Sequence, residues 1–159
     1  MSYRLRPLRP SDVRRVAELE PVLFGPDDWS ASVYRTELEL VGRTYLAVVD
    51  EEDRLVGWAG TAAGEEVQVM TIGIDPDHRR RGLATRLMDE LVDRARRDGS
   101  RSMLLEVRAD DPGARALYAR RGFEEIGIRP RYYQRSGRDA VVMRLDLTAP
   151  EDAGNTEKE

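Results

Sequence analysis

The chain has 159 residues, 40% of them apolar and 35% charged, with a net charge of −4, and a chain of this length can bury a core of its own as one domain. There is no cysteine and one histidine, His78, which excludes disulfides, thiolate zinc sites and a cysteine nucleophile and leaves no imidazole set for a catalytic metal. No apolar run approaches the ~18 residues of a membrane helix. The opening stretch, with Arg4, Arg6 and Arg9, has no secretory-signal pattern, so a cytoplasmic protein without a membrane partner is expected.

Residues 149–159 carry Glu151, Asp152, Glu157 and Glu159 against Lys158 and no large apolar side chain. They read as a disordered acidic tail behind a single domain over 1–148. The remainder is near neutral, which speaks against nucleic acid as a partner. A monomer is expected.

Tyr3–Leu8 is a short strand candidate. Ser11-Asp12 reads as a helix cap, followed by an amphipathic stretch to about Glu20. Pro21–Asp28, with Gly25-Pro26, reads as a loop, and a second helix runs from near Ser30 to about Leu40. Thr44–Val49, Leu55–Ala62 and Val67–Ile74 form a three-strand meander joined by polar turns. In its last strand Val67 and Val69 share one parity, whereas Met70, Ile72 and Ile74 share the other. A β-bulge would absorb that slip; a strand buried on both faces would make parity unimportant.

Leu83, Leu87, Met88, Leu91, Val92 and Ala95 recur at helical spacing up to about Arg97, and Gly99 suits a left-handed stop. Met103–Val107 is an apolar strand. Asp111-Pro112 opens a further helix that ends by Gly122. Phe123–Ile128 and Ala140–Leu147 are the last strands, with Arg129–Asp139 as the connection. This order predicts a mixed α/β (α+β) domain in which Val67–Ile74 and Met103–Val107 run parallel through a right-handed crossover.

Four groups of residues carry candidate chemistry. Arg79-Arg80-Arg81-Gly82-Leu83-Ala84 lies between a strand end and a helix start, where free amides and the helix dipole favour an anion; it is either a phosphate cradle or a surface arginine run. Glu106 sits in an otherwise apolar strand, as a general base or as the ion-pair partner of Arg108. Tyr118 is a core tyrosine or a proton donor. Trp29, Tyr132 and Tyr133 lie in expected loops, as the walls of a peptide groove or as lids over the core.

Together, IGIDPDHRRRGLATRLM, LLEVRADDPGARALYARRGF and RPRYYQRSGRDAVVMRL resemble the GNAT superfamily of N-acetyltransferases. Within it they resemble the bacterial ribosomal-protein-alanine N-acetyltransferases. The first segment holds the superfamily's R-x-x-G-x-A motif at Arg79, Gly82 and Ala84. The resemblance implies a central mixed sheet with a splayed parallel strand pair and flanking helices. It implies acetyl-CoA as co-substrate and no metal. The backbone of Ile72, Gly73 and Ile74 would hold the thioester and pantetheine arm, and the stretch Arg79, Arg80, Arg81, Gly82, Leu83, Ala84 and Thr85 the pyrophosphate. Glu106 would be the general base and Tyr118 the general acid, with Trp29, Tyr132 and Tyr133 on the acceptor side. Asp111 stands where the subfamily often has asparagine, adding negative charge beside CoA. The acceptor implied is a protein N-terminus, possibly of a ribosomal protein. The alternatives are a lysine or small-amine acetyltransferase and a non-catalytic acetyl-CoA-binding module.

Overall fold

A computed structural model describes residues 2–148; the predicted acidic tail, 149–159, lies outside the described residues. The elements are β1 (Arg4–Pro7), α1 (Val13–Phe24), α2 (Ala31–Glu39), β2 (Arg43–Val49), β3 (Leu55–Ala62), β4 (Glu66–Ile74), α3 (Leu83–Arg97), β5 (Ser102–Arg108), α4 (Pro112–Arg120), β6 (Glu124–Tyr133) and β7 (Arg138–Asp146). The strands form one mixed sheet in the order β1-β2-β3-β4-β5-β7-β6. All neighbours are antiparallel except β4 and β5.

The alternation of side chains along β2 sorts the core into two layers. Leu46 and Val48 join one cluster with Leu83, Leu87, Met88 and Leu91 of α3, Met103, Leu105 and Val107 of β5, and Tyr118 of α4. Tyr45, Ala47 and Val49 join the other with Val13, Val16 and Leu19 of α1 and Tyr34 of α2. The apolar stripe of α3 is therefore spent against the sheet. Burying each of its leucines contributes roughly 1.5–3 kcal/mol.

The parity slip in β4 is a bulge. Thr61 pairs with Val69 but Gly60 with Thr71, so Met70 is the extra residue. The insertion brings Val67, Val69, Ile72 and Ile74 onto one face, all four against the α3 cluster.

Three expectations need correction. The region from Pro21 is not loop at first: α1 runs through Pro21 to Phe24. Proline removes one backbone donor, but Leu19, Leu23 and Phe24 continue the apolar stripe, and only Gly25, at φ 55°, ends the helix. The Ser11-Asp12 cap is a 3-10 turn over Pro10–Asp12, and the Asp12 carboxylate accepts from the Arg9 amide and the Arg6 guanidinium instead. The Arg129–Asp139 connection is mostly strand: β6 extends to Tyr133 and β7 begins at Arg138, leaving a tight turn with Gly137 at φ 74°. Tyr132 and Tyr133 are thus strand-end residues, not loop residues.

Candidate active site

β4 and β5 are paired only where they begin, at Glu66–Ser102, Val67–Met103 and Gln68–Leu104. Beyond Gln68 the two strands part. The Met70 bulge falls just past the last pair and turns β4 away from its neighbour. The result is a slot in the middle of the sheet, flanked by the unpaired inner edges of Val69–Ile74 and Leu105–Arg108. Ile72, Gly73 and Ile74 lie along this slot. Gly73 is required there for space: a Cβ would stand 2.9 Å from Trp58 Cζ2 and 3.0 Å from Leu23 Cδ1.

At the end of β4 the chain makes a short turn, Pro76–His78, and then the stretch Arg79–Gly82 before α3. Gly82 takes the N-cap position in the left-handed conformation at φ 72° with no side-chain cap, and Arg80 is also left-handed at φ 63°. The first amides of a helix have no intrahelical acceptor, and those of Leu83, Ala84 and Thr85 open α3 towards the slot end. Arg79, Arg80 and Arg81 are exposed. The turn thus forms a cradle that gathers backbone donors with positive charge around them, an arrangement that favours an anion. A Cβ at Gly82 would meet nothing, so the glycine serves the backbone angle there.

Glu106 projects from β5 on the face opposite Met103, Leu105 and Val107. Its side chain is 12% exposed. Gln68 Nε2 donates to Oε2 at 2.7 Å and Arg129 donates to Oε1 at 2.9 Å. The expected partner, Arg108, pairs with Asp110 instead. Although Arg108 and Glu106 share a strand face, Asp110, equally close in the chain on the other side, takes the guanidinium in two hydrogen bonds, and Glu106 is already held by Gln68 and Arg129. Arg129 also lies over the Tyr132 ring, 4.9 Å from its centroid.

Glu106 opens into a cavity of about 600 Å³ whose walls include Trp29, Gln68, Met70, Arg129, Tyr132 and Tyr133. The three aromatic residues singled out in the sequence therefore meet around the carboxylate. They come from the α1–α2 connection and from the β6 end. Burial holds the Tyr133 phenol above its ordinary range, with the charges of Tyr132 and Glu106 adding to the effect.

Tyr118 approaches from the other side. It is 6% exposed, packed among the α3 cluster and edge-on to Phe123 at 6.0 Å. Burial, then the nearby Asp111 and Tyr133, push its phenol well up. Its hydroxyl has no hydrogen-bond partner among the described residues. Asp111 caps α4, accepting from the Ala114 amide at 3.1 Å. Carboxylate and phenol thus flank the slot from opposite faces of the sheet.

Composition and spacing did not single out Gln68 and Arg129. Neither has a local signal: they meet Glu106 across 38 and 23 residues of chain.

A model of the acetyltransferase (GNAT) family matches residues 13–123, a span that runs from the start of α1 through the slot and the cradle to the end of the Tyr118 helix. The chain belongs to the GNAT acetyltransferase family. It is an acetyl-CoA-dependent N-acetyltransferase, and the slot and cradle fit that co-substrate. It is 41% identical to the N-alpha-acetyltransferase RimI of Mycobacterium tuberculosis over 146 residues, covering 88% of this chain and 90% of that protein. It is 36% identical to the ribosomal protein bS18-alanine N-acetyltransferase of Salmonella typhimurium over 111 residues, 67% of this chain and 75% of that protein. It also matches an uncharacterised Mycobacterium leprae protein at 46% identity, of whose length it spans 39%. Among solved structures, the ribosomal-protein-S18-alanine N-acetyltransferase of Escherichia coli superposes with a TM-score of 0.83 at 27% identity, over 95% of this chain and 98% of that one.

Proposed function

We propose that this GNAT domain, spanning residues 1–148, acetylates the N-terminal amine of a protein, of the ribosomal-protein-alanine type, in the cytoplasm. The observation that carries the reading is the aromatic-walled cavity of about 600 Å³ that leads to Glu106. The relatives named for N-alpha and bS18-alanine acetylation support the same acceptor.

The chemistry follows from the placement. An α-ammonium has a pKa of about 7.7–8.0, so loss of one proton makes it a nucleophile near neutral pH. The incoming amine takes the place of the Arg129 guanidinium at Glu106 Oε1, while Gln68 keeps Oε2 in position. Glu106 accepts the proton. The amine attacks the acetyl carbonyl in the slot, where Ile72, Gly73 and Ile74 offer backbone donors to the developing oxyanion. The amides of Arg80–Thr85 hold the pyrophosphate between Arg79 and Arg81. Tyr118, on the far face, gives its proton to the departing CoA thiolate. With no cysteine in the chain, transfer is direct within a ternary complex.

The test is acetylation of a panel of N-terminal Ala, Ser, Gly and Met peptides against peptides with an internal lysine, for wild type and Glu106→Gln, across pH. Alpha-amine peptides are expected to react faster. The variant is expected to lose ~10²–10⁴-fold near neutral pH and to recover as the amine deprotonates, earlier for an α-amine than for a lysine of pKa about 10.4. A constant ratio of the two enzymes across pH overturns the base; faster lysine acetylation overturns the acceptor.

A further inference from the structure

Glu20 is the most deeply buried carboxylate among the described residues, 1% exposed within α1, and the reaction described above does not use it. Burying a charge without a paired cation is costly, so its retention asks for a reason. Arginine does not meet it. The Trp29 amide donates to Oε1 at 2.6 Å, and the Tyr34 hydroxyl donates to Oε2 at 3.0 Å. The same Tyr34 oxygen accepts from Trp58 Nε1 at 2.8 Å. Trp58 is fully buried and packs so closely on Gly73 that no Cβ fits there. The Trp29 ring rests tilted on Tyr34 at 5.4 Å.

One carboxylate therefore joins two parts of the active site that share no backbone pairing. One oxygen holds the α1–α2 connection at Trp29, a wall of the acceptor cavity. The other holds, through Tyr34 and Trp58, the strand that flanks the acetyl-CoA slot. The rest of the connection is held from the exposed β6–β7 turn: Gly25–Asp27 forms a single 3-10 turn, Arg135 donates to Pro26 and Asp28 and the Ser136 amide to Asp27, so Glu20 is its tie to the helical layer beneath.

We propose that Glu20 is a positioning residue that sets the Trp29 wall of the acceptor site relative to the β4 strand, so that it governs the affinity for the acceptor peptide and not for acetyl-CoA. The proposal rests on the N-terminal acceptor reading for the identity of that peptide.

Glutamine at this position keeps the shape and one carbonyl acceptor but removes the charge from the hydrogen bonds. Hydrogen bonds to a charged group are worth about 1.5–3 kcal/mol, so Glu20→Gln is expected to raise the peptide KM about tenfold or more. The acetyl-CoA KM and kcat are expected to stay within about twofold, because the Trp58–Tyr34 hydrogen bond and the Trp58 packing on Gly73 that place β4 survive the substitution, and neither the cradle nor the Glu106 carboxylate touches Glu20. Thermal unfolding at pH 8 is to be measured beside the kinetics. A positioning carboxylate held at a cost to the fold predicts an unchanged or higher midpoint for the variant. Tyr34→Phe, which releases the second oxygen, is expected to move the peptide KM in the same direction. An unchanged peptide KM in both variants overturns the proposal. So does a lowered midpoint with both KM values and kcat moving together, which is the mark of a purely structural residue. Wild-type enzyme inactive on every N-terminal peptide refutes the acceptor reading instead, a result separable from either.

Discussion

Replacing Gly73 by alanine probes the join between the helical layer of α1 and the slot. The added methyl would lie 2.9 Å from Trp58 Cζ2, 3.0 Å from Trp58 Cη2 and 3.0 Å from Leu23 Cδ1, where ordinary contact begins at 3.4 Å. Leu23 is half-buried and can turn aside. Trp58 cannot: it is fully enclosed and its indole N–H is held by Tyr34 at 2.8 Å. The remaining relief is a displacement of β4 itself, into the slot. Overpacking of this kind costs about 1–3 kcal/mol, and in a chain of this length each kcal/mol lowers the midpoint by ~2–4 °C. Gly73→Ala is therefore expected to unfold ~2–12 °C lower and to bind acetyl-CoA more weakly, as read by thermal unfolding and by calorimetry on the folded protein. A midpoint within a degree of wild type together with unchanged affinity would refute the argument that Trp58 sets the position of the strand.

Gly82→Val puts a β-branched residue at φ 72°, a conformation that costs such side chains on the order of 1–3 kcal/mol. The cradle is expected to re-form with its amides misaligned, and calorimetry should show acetyl-CoA affinity lowered about tenfold. Tyr118→Phe removes a hydroxyl and leaves its packing on Phe123, so the midpoint is expected to hold while single-turnover acetyl transfer slows by about 10²-fold; wild-type rates would make Tyr118 a core residue only. Burial raises the Glu20 carboxyl from 4.5 to about 7, with the Asp28 charge adding to it. The fold therefore binds this proton more tightly than the unfolded chain does. Its contribution to stability is complete below about 4.5 and is lost as pH rises through about 7, a change of about 3 kcal/mol. Urea unfolding of wild type and Glu20→Gln at pH 5 and pH 8 should show the variant gaining on wild type at the higher pH, and a gap independent of pH would contradict the shift.

What the sequence reveals, and what it hides, divides by the range of the interaction. The α3 stripe, the stop at Gly99 and the Asp111 cap are written in residues three or four apart. A bulge is one of two readings of the parity of Val67, Val69, Met70, Ile72 and Ile74, and the register decides for it and places it at Met70. The turn and helix start at Arg79–Leu83 are legible because a helix start is itself a local event. The partners of Glu106 were not. Strand parity pointed to Arg108, yet Gln68 and Arg129 arrive from β4 and β6, and only the assembled sheet brings them there. The extent of α1 was hidden for a different reason: Pro21 is a local breaker overruled by burial of Leu23 and Phe24 against the second core layer. Glu20, in the same helix, looks in sequence like one more charged surface residue.

The fork between β4 and β5 also bears on how the backbone meets solvent. In most sheets the central strands are the slowest to exchange their amide hydrogens, because every donor is bonded on both sides. Here the interior of a seven-stranded sheet contains two inner edges, open from Val69 to Ile74 and from Leu105 to Arg108. Amides of β4 that point away from β3 have no strand to receive them, whereas alternate amides of the same strand are bonded to β3. Deuterium uptake along β4 should therefore alternate, fast and slow, in the middle of the molecule. A ligand lying in the fork as an additional strand would erase that alternation by supplying the missing acceptors. The protein keeps unpaired strand backbone where a sheet is ordinarily most closed.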